Sequence, residues 1–154
     1  MVDVTFLDNY TLRLKNAINT INYAELIVDD SQMVKFLNEV SKFDNHLLFG
    51  VIPDIPSSGT NIDNFQFRPQ TMFLVLQKTD YASITHAEFK TLMQDTLMSA
   101  KAVIDKMLED KEDYSEEGCM YMKQLNISSI NLQPVWGKAG CNGWSIEFNF
   151  DSSY

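Results

Sequence analysis

The sequence is poor in cysteine and histidine, the residues that most often build disulfide frameworks and metal sites. It has two cysteines, Cys119 and Cys141, and two histidines, His46 and His86. Two cysteines do not make a disulfide framework, and a zinc site usually takes four ligands, often in close pairs. Because no two of these residues are close in sequence, we expect two free thiols and no metal site. A pairing of the cysteines stays possible if the C-terminal strands are neighbours.

Basic residues and long apolar runs are also scarce. The 154 residues include 12 Lys and Arg against 21 Asp and Glu, which gives a net charge of −9. A protein that binds nucleic acid through its general surface is basic, because phosphate contacts supply most of that affinity, so we expect no specific nucleic-acid binding. No stretch of about 20 apolar residues is present, and we therefore expect no membrane-spanning helix.

Patterns that mark catalytic or cofactor sites are missing as well. Neither histidine lies near a nucleophile turn of the G-x-S-x-G type. The glycine-rich segment GKAGCNG leads into a strand, whereas a phosphate-binding loop leads into a helix. Adjacent carboxylates such as Asp29 and Asp30 lie in turn-like surroundings, where solvated caps are the usual explanation. The sequence therefore predicts no catalytic residue and no cofactor, and the chain is not expected to be an enzyme.

Apolar residues nevertheless make up 45% of the chain, enough to build the core of one domain over residues 1–154. Their recurrence every three or four positions predicts a first helix over residues 7–21 and a short helix after Asp29. A long helix begins at a capping box formed by Thr85 and Glu88 and is expected to end near residue 108.

Strands are predicted at residues 46–52 and 71–77, and again in a C-terminal hairpin over residues 127–151. Pro134 lacks a backbone N–H, so its strand should lie at a sheet edge or contain a bulge. Because the strands arrive as hairpins, the fold class is α+β: a two-layer domain with a mainly antiparallel sheet and helices packed on one face.

Two segments have a less definite pattern. Residues 22–28 fit either a continued helix or a short buried strand, since periodicity cannot decide over so short a run. Residues 109–118, EDKEDYSEEG, form an acidic connector that we expect to be solvated.

Residues 53–70 form an extended loop that is rich in proline, serine and asparagine. It also carries apolar side chains that a solvated linker would not need. We expect either an arm whose apolar residues contact a partner, or a loop whose apolar residues fold back on the core. With the aromatic residues of the hairpin and the C-terminus, these side chains form the predicted interface: Ile55, Ile62, Phe65, Phe67, Trp136, Trp144 and Tyr154.

The hairpin INLQPVW…NGWSIEFNFD, with the preceding strand and long helix that begin at MFLVLQKTDY, resembles small virion proteins of tailed phages that infect Bacteroidetes-type hosts. These are neck, tail-terminator and tail-completion proteins. The resemblance covers about the last half of the chain, and residues 142–148 are its most specific part. It implies a homo-oligomeric ring at the head–tail joint that contacts other virion proteins, such as portal, adaptor or tail tube. It also implies a virion location, after assembly in the host cytoplasm, and no catalytic residues.

The acidic composition is compatible with such a ring. An acidic lumen would repel DNA phosphates and let a duplex slide through it. Two other functions stay open. One is an acidic adaptor module that binds a basic protein partner in a salt-dependent way, and the other, less favoured, is a small enzyme.

Overall fold

The computed structural model describes residues 2–40, 45–115 and 119–151. Within these ranges the chain forms helices, a five-stranded sheet and a small two-stranded hairpin. The helices are α1 (Val4–Ala17), α2 (Asp30–Leu37) and α3 (His86–Glu112). The strands are β1 (Ile21–Ile27), β2 (His46–Val51), β3 (Ser57–Ser58), β4 (Gln66–Phe67), β5 (Gln70–Lys78), β6 (Asn131–Lys138) and β7 (Cys141–Asn149).

The main sheet has the strand order β1-β2-β5-β7-β6. All neighbouring strands in it are antiparallel except β1 and β2, which run parallel and are connected through α2. The α+β class and the mainly antiparallel sheet are therefore confirmed. No helix in the described ranges is long and apolar enough to cross a membrane.

Helices α1 and α3 pack together on one face of the sheet, as expected, but the expectation of helices on one face only is wrong for the short α2. Their core contains apolar residues of both helices and of β2, β5 and β7, among them Leu14, Val103, Phe73 and Ile146. The short α2 adds a smaller cluster on the opposite face, where its Met33 and Leu37 pack with Phe49, Leu74 and Leu76. The central part of the sheet is thus covered on both sides.

The undecided segment after α1 is a strand. Helix α1 begins after Asp3, whose carboxylate accepts a hydrogen bond from the backbone N–H of Phe6, and it ends at Ala17. Residues 21–27 then pair with β2. Ile21 and Ile27 are buried at the two ends of β1, so both anchor it in the core.

The acidic connector is shorter than expected, because α3 continues to Glu112. The prediction that residues 109–118 are solvated is wrong for Asp110, which is 1% exposed. Its carboxylate is bound by Arg13, Lys106 and Tyr10, so its charge is compensated inside the fold. Residues 116–118 lie outside the described residues.

The end of α3 is held by Lys123 of a short 3₁₀ helix. The ammonium groups of Lys111 and Lys123 each donate a hydrogen bond to the other residue's carbonyl, both at 2.8 Å. Lys123 also donates to the carbonyl of Asp113 and lies 3.7 Å above the ring of Tyr114. A cation at this position is favourable because helix C-termini carry partial negative charge.

The C-terminal hairpin has the expected form. Strand β6 lies at the sheet edge, and its register with β7 shifts between Val135 and Lys138. Pro134 therefore lies in an edge strand that also contains an irregularity, the two places that tolerate a missing N–H.

The two cysteines are unpaired. Cys119 packs against the α1–α3 core and Cys141 lies in the cluster on the other face, so the sheet separates them. Burial raises the pKa of the Cys141 thiol to about 11, which keeps it protonated at neutral pH.

Candidate interaction surface

Residues 53–70 form a hairpin arm, which we define by that range, between β2 and β5. At its base, Asp54 and Gln70 exchange backbone hydrogen bonds of 2.9 and 2.7 Å. Further out, Ser57 pairs with Phe67 and Ser58 with Gln66. The arm is therefore an ordered extension of two neighbouring strands, at the end of the sheet where β2 ends and β5 begins.

The tip of the arm is fixed by a reciprocal capping box. The backbone N–H of Asn64 donates to the side chain of Asn61 over 3.1 Å, and that of Asn61 donates to Asn64 Oδ1 over 2.9 Å. Thr60 donates a further backbone hydrogen bond to the same oxygen. Gly59 has a φ of 112°, which L side chains rarely adopt, and a Cβ there would lie 2.2 Å from the carbonyl oxygen of Asn64. These constraints hold the tip in one conformation.

This fixed tip presents an apolar side chain to solvent. Ile62 is 95% exposed, and Ile55 and Phe65 are also exposed. The rings of Phe65 and Phe67 pack edge to face with centroids 5.1 Å apart. Within the described part of the chain, neither core cluster includes an arm residue. In the described ranges the apolar residues of the arm therefore do not fold back into either core cluster. A contact between the arm and a partner stays a prediction.

The remaining predicted interface residues are placed differently from one another. Trp136 is 75% exposed on the edge strand β6. Trp144 is half-buried against the α1–α3 core, and its indole N–H donates to the carbonyl of Met93 over 2.9 Å. Its polar atom is therefore already used within the chain. Tyr154 lies outside the described residues.

The arm and Trp136 lie at opposite ends of the sheet. The arm joins β5 at Gln70, which is opposite Asn149, whereas the turn after Trp136 is next to Lys78 at the other end of β5. Nine residues of β5 separate the two ends, a length of about 27 Å at 3.4 Å per residue. The molecule therefore has two exposed surfaces near opposite ends of the sheet.

A second feature is a groove of about 690 Å³ between the end of α1 and α3, which we name the α1–α3 groove. A stripe of α3 forms one wall, and the segment that joins α1 to β1 forms the other together with the start of β2. Sequence reasoning missed this groove, although the three- and four-residue spacing of its α3 wall was a usable signal. The residues of that wall are Asp95, Met98, Ser99, Ala102, Asp105, Lys106 and Glu109.

The floor of the groove contains a hydrogen-bonded network around His46. Its Nδ1 lies 2.5 Å from Ser99 Oγ, and Ser99 Oγ lies 2.6 Å from Thr20 Oγ1. Burial is the largest effect on the His46 imidazole and lowers its pKa. Ser99 is 2% exposed, and its hydroxyl is shared between His46 and Thr20. The network joins α3 to the starts of β1 and β2.

Metal-ligating side chains do not converge in the described ranges, where no group of three or more His, Cys, Asp or Glu could hold an ion. In comparisons with known proteins, no family model and no curated protein matches this chain.

Proposed function

We propose that this protein is a structural subunit that assembles with copies of itself, as a ring-forming neck or tail-terminator protein of a tailed-phage virion. The observation that carries the proposal is the arm, whose hydrogen-bonded tip holds Ile62 95% exposed. An ordered apolar tip loses little conformational freedom on binding, so it suits a contact with another protein surface.

The placement of the two exposed surfaces supports a ring rather than a two-fold dimer. A head-to-tail interface joins two different patches, and repeated rotation closes such contacts into a ring. The arm and the region of Trp136 lie near opposite ends of the sheet, separated by most of the length of β5, so they can contact two different neighbours.

The edge strand β6 offers a further contact for a neighbour, because no strand among the described residues pairs with its outer side. Edge strands pair readily with other chains unless something blocks them, and in β6 Pro134 and the shifted register between Val135 and Lys138 restrict such pairing. The net charge of −9 fits the proposal that DNA passes through the ring without binding to it. Contacts with other virion proteins, such as portal, adaptor or tail tube, belong to the same proposal.

The proposal is tested by measuring the mass of the purified chain by light scattering at low and moderate salt, with negative-stain images of any large species. We expect closed rings of several copies. Ile62→Ser should shift the population toward monomers, because it removes the apolar group at the tip without altering the core. Ile127→Ser is the matched control, since Ile127 is also exposed but lies outside the arm.

Two outcomes would count against this function. A chain that stays monomeric at all concentrations and salts would contradict self-assembly and favour the acidic adaptor. Rings that form equally well with Ile62→Ser would show that the arm is not the contact.

A further inference from the structure

The α1–α3 groove is lined by carboxylates that the fold leaves partly uncompensated. Lys106 is the one Lys or Arg among the lining residues, and its ammonium lies 3.2 Å from Glu109 and 3.1 Å from the buried Asp110. Asp95 and Asp105 are exposed and have no ion pair with any described residue. The groove therefore has two carboxylates available to cations from another molecule.

Between these two carboxylates the surface is apolar. Met98 is 56% exposed, and Ala102 follows it one turn along α3. Ile18, at the end of α1, lines the opposite wall. A methionine side chain is flexible and polarisable, so it adapts to the shape of an incoming apolar group. The groove thus has the order acidic, apolar, acidic along α3.

The spacing of the carboxylates limits the kind of partner. Asp95 and Asp105 are ten positions apart on α3, which is about 15 Å at 1.5 Å per residue. An extended peptide covers this distance in four to five residues at about 3.3 Å each. A short extended segment is therefore long enough to reach both carboxylates.

We propose that the α1–α3 groove binds an extended basic segment of a partner protein, with two Lys or Arg residues about four positions apart and an apolar residue between them. The cations would contact Asp95 and Asp105, and the apolar side chain would cover Met98 and Ala102. This site is separate from the arm and does not depend on ring assembly.

A second copy of this chain is a poor occupant of the groove. The arm carries Asp54 and Asp63 against one cation, Arg68, so its net charge has the same sign as that of the groove. Like charges brought together at an interface oppose binding. The charge of the groove therefore selects a partner that is more basic than this protein.

The site is tested with the peptide acetyl-Lys-Ser-Leu-Ser-Lys-amide and full-length protein labelled at its methionine methyl groups. Methyl signals stay observable in large assemblies, and Met98→Leu assigns the signal of Met98. We expect that signal to move saturably with peptide concentration, while the signal of Met120, which is 75% exposed elsewhere, stays in place. The peptides with Glu for both Lys, or Ser for Leu, should bind more weakly.

Charge variants separate a local site from general attraction to an acidic protein. Asp95→Asn with Asp105→Asn should weaken peptide binding about fivefold or more, since two exposed ion pairs are lost. Asp8→Asn with Glu39→Gln changes the net charge equally at exposed positions away from the groove, and it should weaken binding less than twofold.

Three results would overturn the proposal. The first is a Met98 signal that does not move at the highest soluble peptide concentration. The second is an equal loss of binding in both double variants, which would indicate non-specific attraction. The third is a Met98 signal that already shifts in peptide-free Ile62→Ser, because it would place the arm of another copy in the groove.

Discussion

The Tyr10 hydroxyl on α1 donates a hydrogen bond to Asp110 Oδ2 on α3 over 2.9 Å, across 100 positions of sequence. The other oxygen of Asp110 lies 2.8 Å from Arg13 and 3.1 Å from Lys106. Burial, and then the Asp110 charge, raise the pKa of Tyr10, so its hydroxyl stays protonated and can donate. A buried carboxylate thus joins the two helices that cover one face of the sheet.

Removing the Tyr10 hydroxyl should destabilise the protein. We expect Tyr10→Phe to lower the free energy of unfolding by about 2 kcal/mol, the usual range for a hydrogen bond to a charged group. Urea unfolding measures this change. Tyr114→Phe is the matched control, because Tyr114 is exposed, and it should cost less than about 0.5 kcal/mol. Equal effects of the two variants would contradict a special role for the bond to Asp110.

The contacts of Asp110 with Tyr10 and Arg13 show where local sequence patterns no longer predict the burial of a residue. The capping box of Thr85 and Glu88 was predicted and is present, with hydrogen bonds of 2.7 and 3.2 Å, because both partners are three residues apart. The burial of Asp110 was missed because its partners Tyr10 and Arg13 come from the other end of the chain. A run of acidic residues is solvated only when the fold brings no cation from a distant part of the sequence next to it.

The neutral, buried His46 should make stability depend on pH. Its folded pKa lies below the unfolded value of about 6.5, so the unfolded chain binds more protons. Stability is therefore complete above pH 6.5 and falls as pH decreases from there toward the folded pKa, by at most about 1.4 kcal/mol per pH unit. Urea unfolding between pH 5 and 7.5 measures the slope.

The two histidines provide the control for this slope. His46→Gln should make the free energy of unfolding less dependent on pH, whatever its effect on the absolute stability. His86→Gln should leave this dependence unchanged, since His86 is exposed. Glu88 and Asp113, whose pKa values are lowered by hydrogen bonds, act mainly below this window. If the stability of His46→Gln still falls between pH 6.5 and 5, groups other than His46 cause the dependence on pH.

Two glycines of the C-terminal hairpin should respond differently to alanine. At Gly143, a Cβ would lie 2.0 Å from the carbonyl oxygen of Val75, so β5 and β7 would have to separate. We expect Gly143→Ala to lower the free energy of unfolding by about 3 kcal/mol or to prevent folding. Gly140 has a φ of 76° with open space around it, so Gly140→Ala should cost about 1 kcal/mol. Thermal unfolding with circular dichroism compares them, and a similar loss for both would contradict the close approach.

The pairing of the strands was only partly available from the sequence. Residues 71–77 were predicted as a strand from their apolar run, and β5 covers 70–78. The parallel pairing of β1 with β2 could not be predicted, because residues 21–27 have no helix or strand period over so few positions. Their structure is decided by β2 and the two helices that enclose them, which is tertiary information. The exposure of Ile62 likewise depends on how the arm extends from the sheet, although the capping box that fixes its tip is local in sequence.

The end of α2 depends on a side chain from β5. The Lys78 ammonium donates hydrogen bonds of 3.0 Å to the carbonyl oxygens of Leu37 and Val40. These carbonyls lie at and just beyond the last turn, where a helix lacks its own donors and favours a cation. Lys78→Met keeps most of the length of the side chain and removes both hydrogen bonds, so it should lower the free energy of unfolding by about 1–2 kcal/mol.

Lys138→Met is the matched control for Lys78→Met, because Lys138 makes a 2.7 Å ion pair with the exposed Asp30 at the start of the same helix. Exposed ion pairs contribute little, so this variant should cost less than about 0.5 kcal/mol. Hydrogen exchange locates the effect: in Lys78→Met, the amides of α2 should exchange faster while those of α3 keep their protection. Uniform loss across both helices would instead show that Lys78 acts on the whole fold, because α2 would then unfold only together with the sheet that it covers.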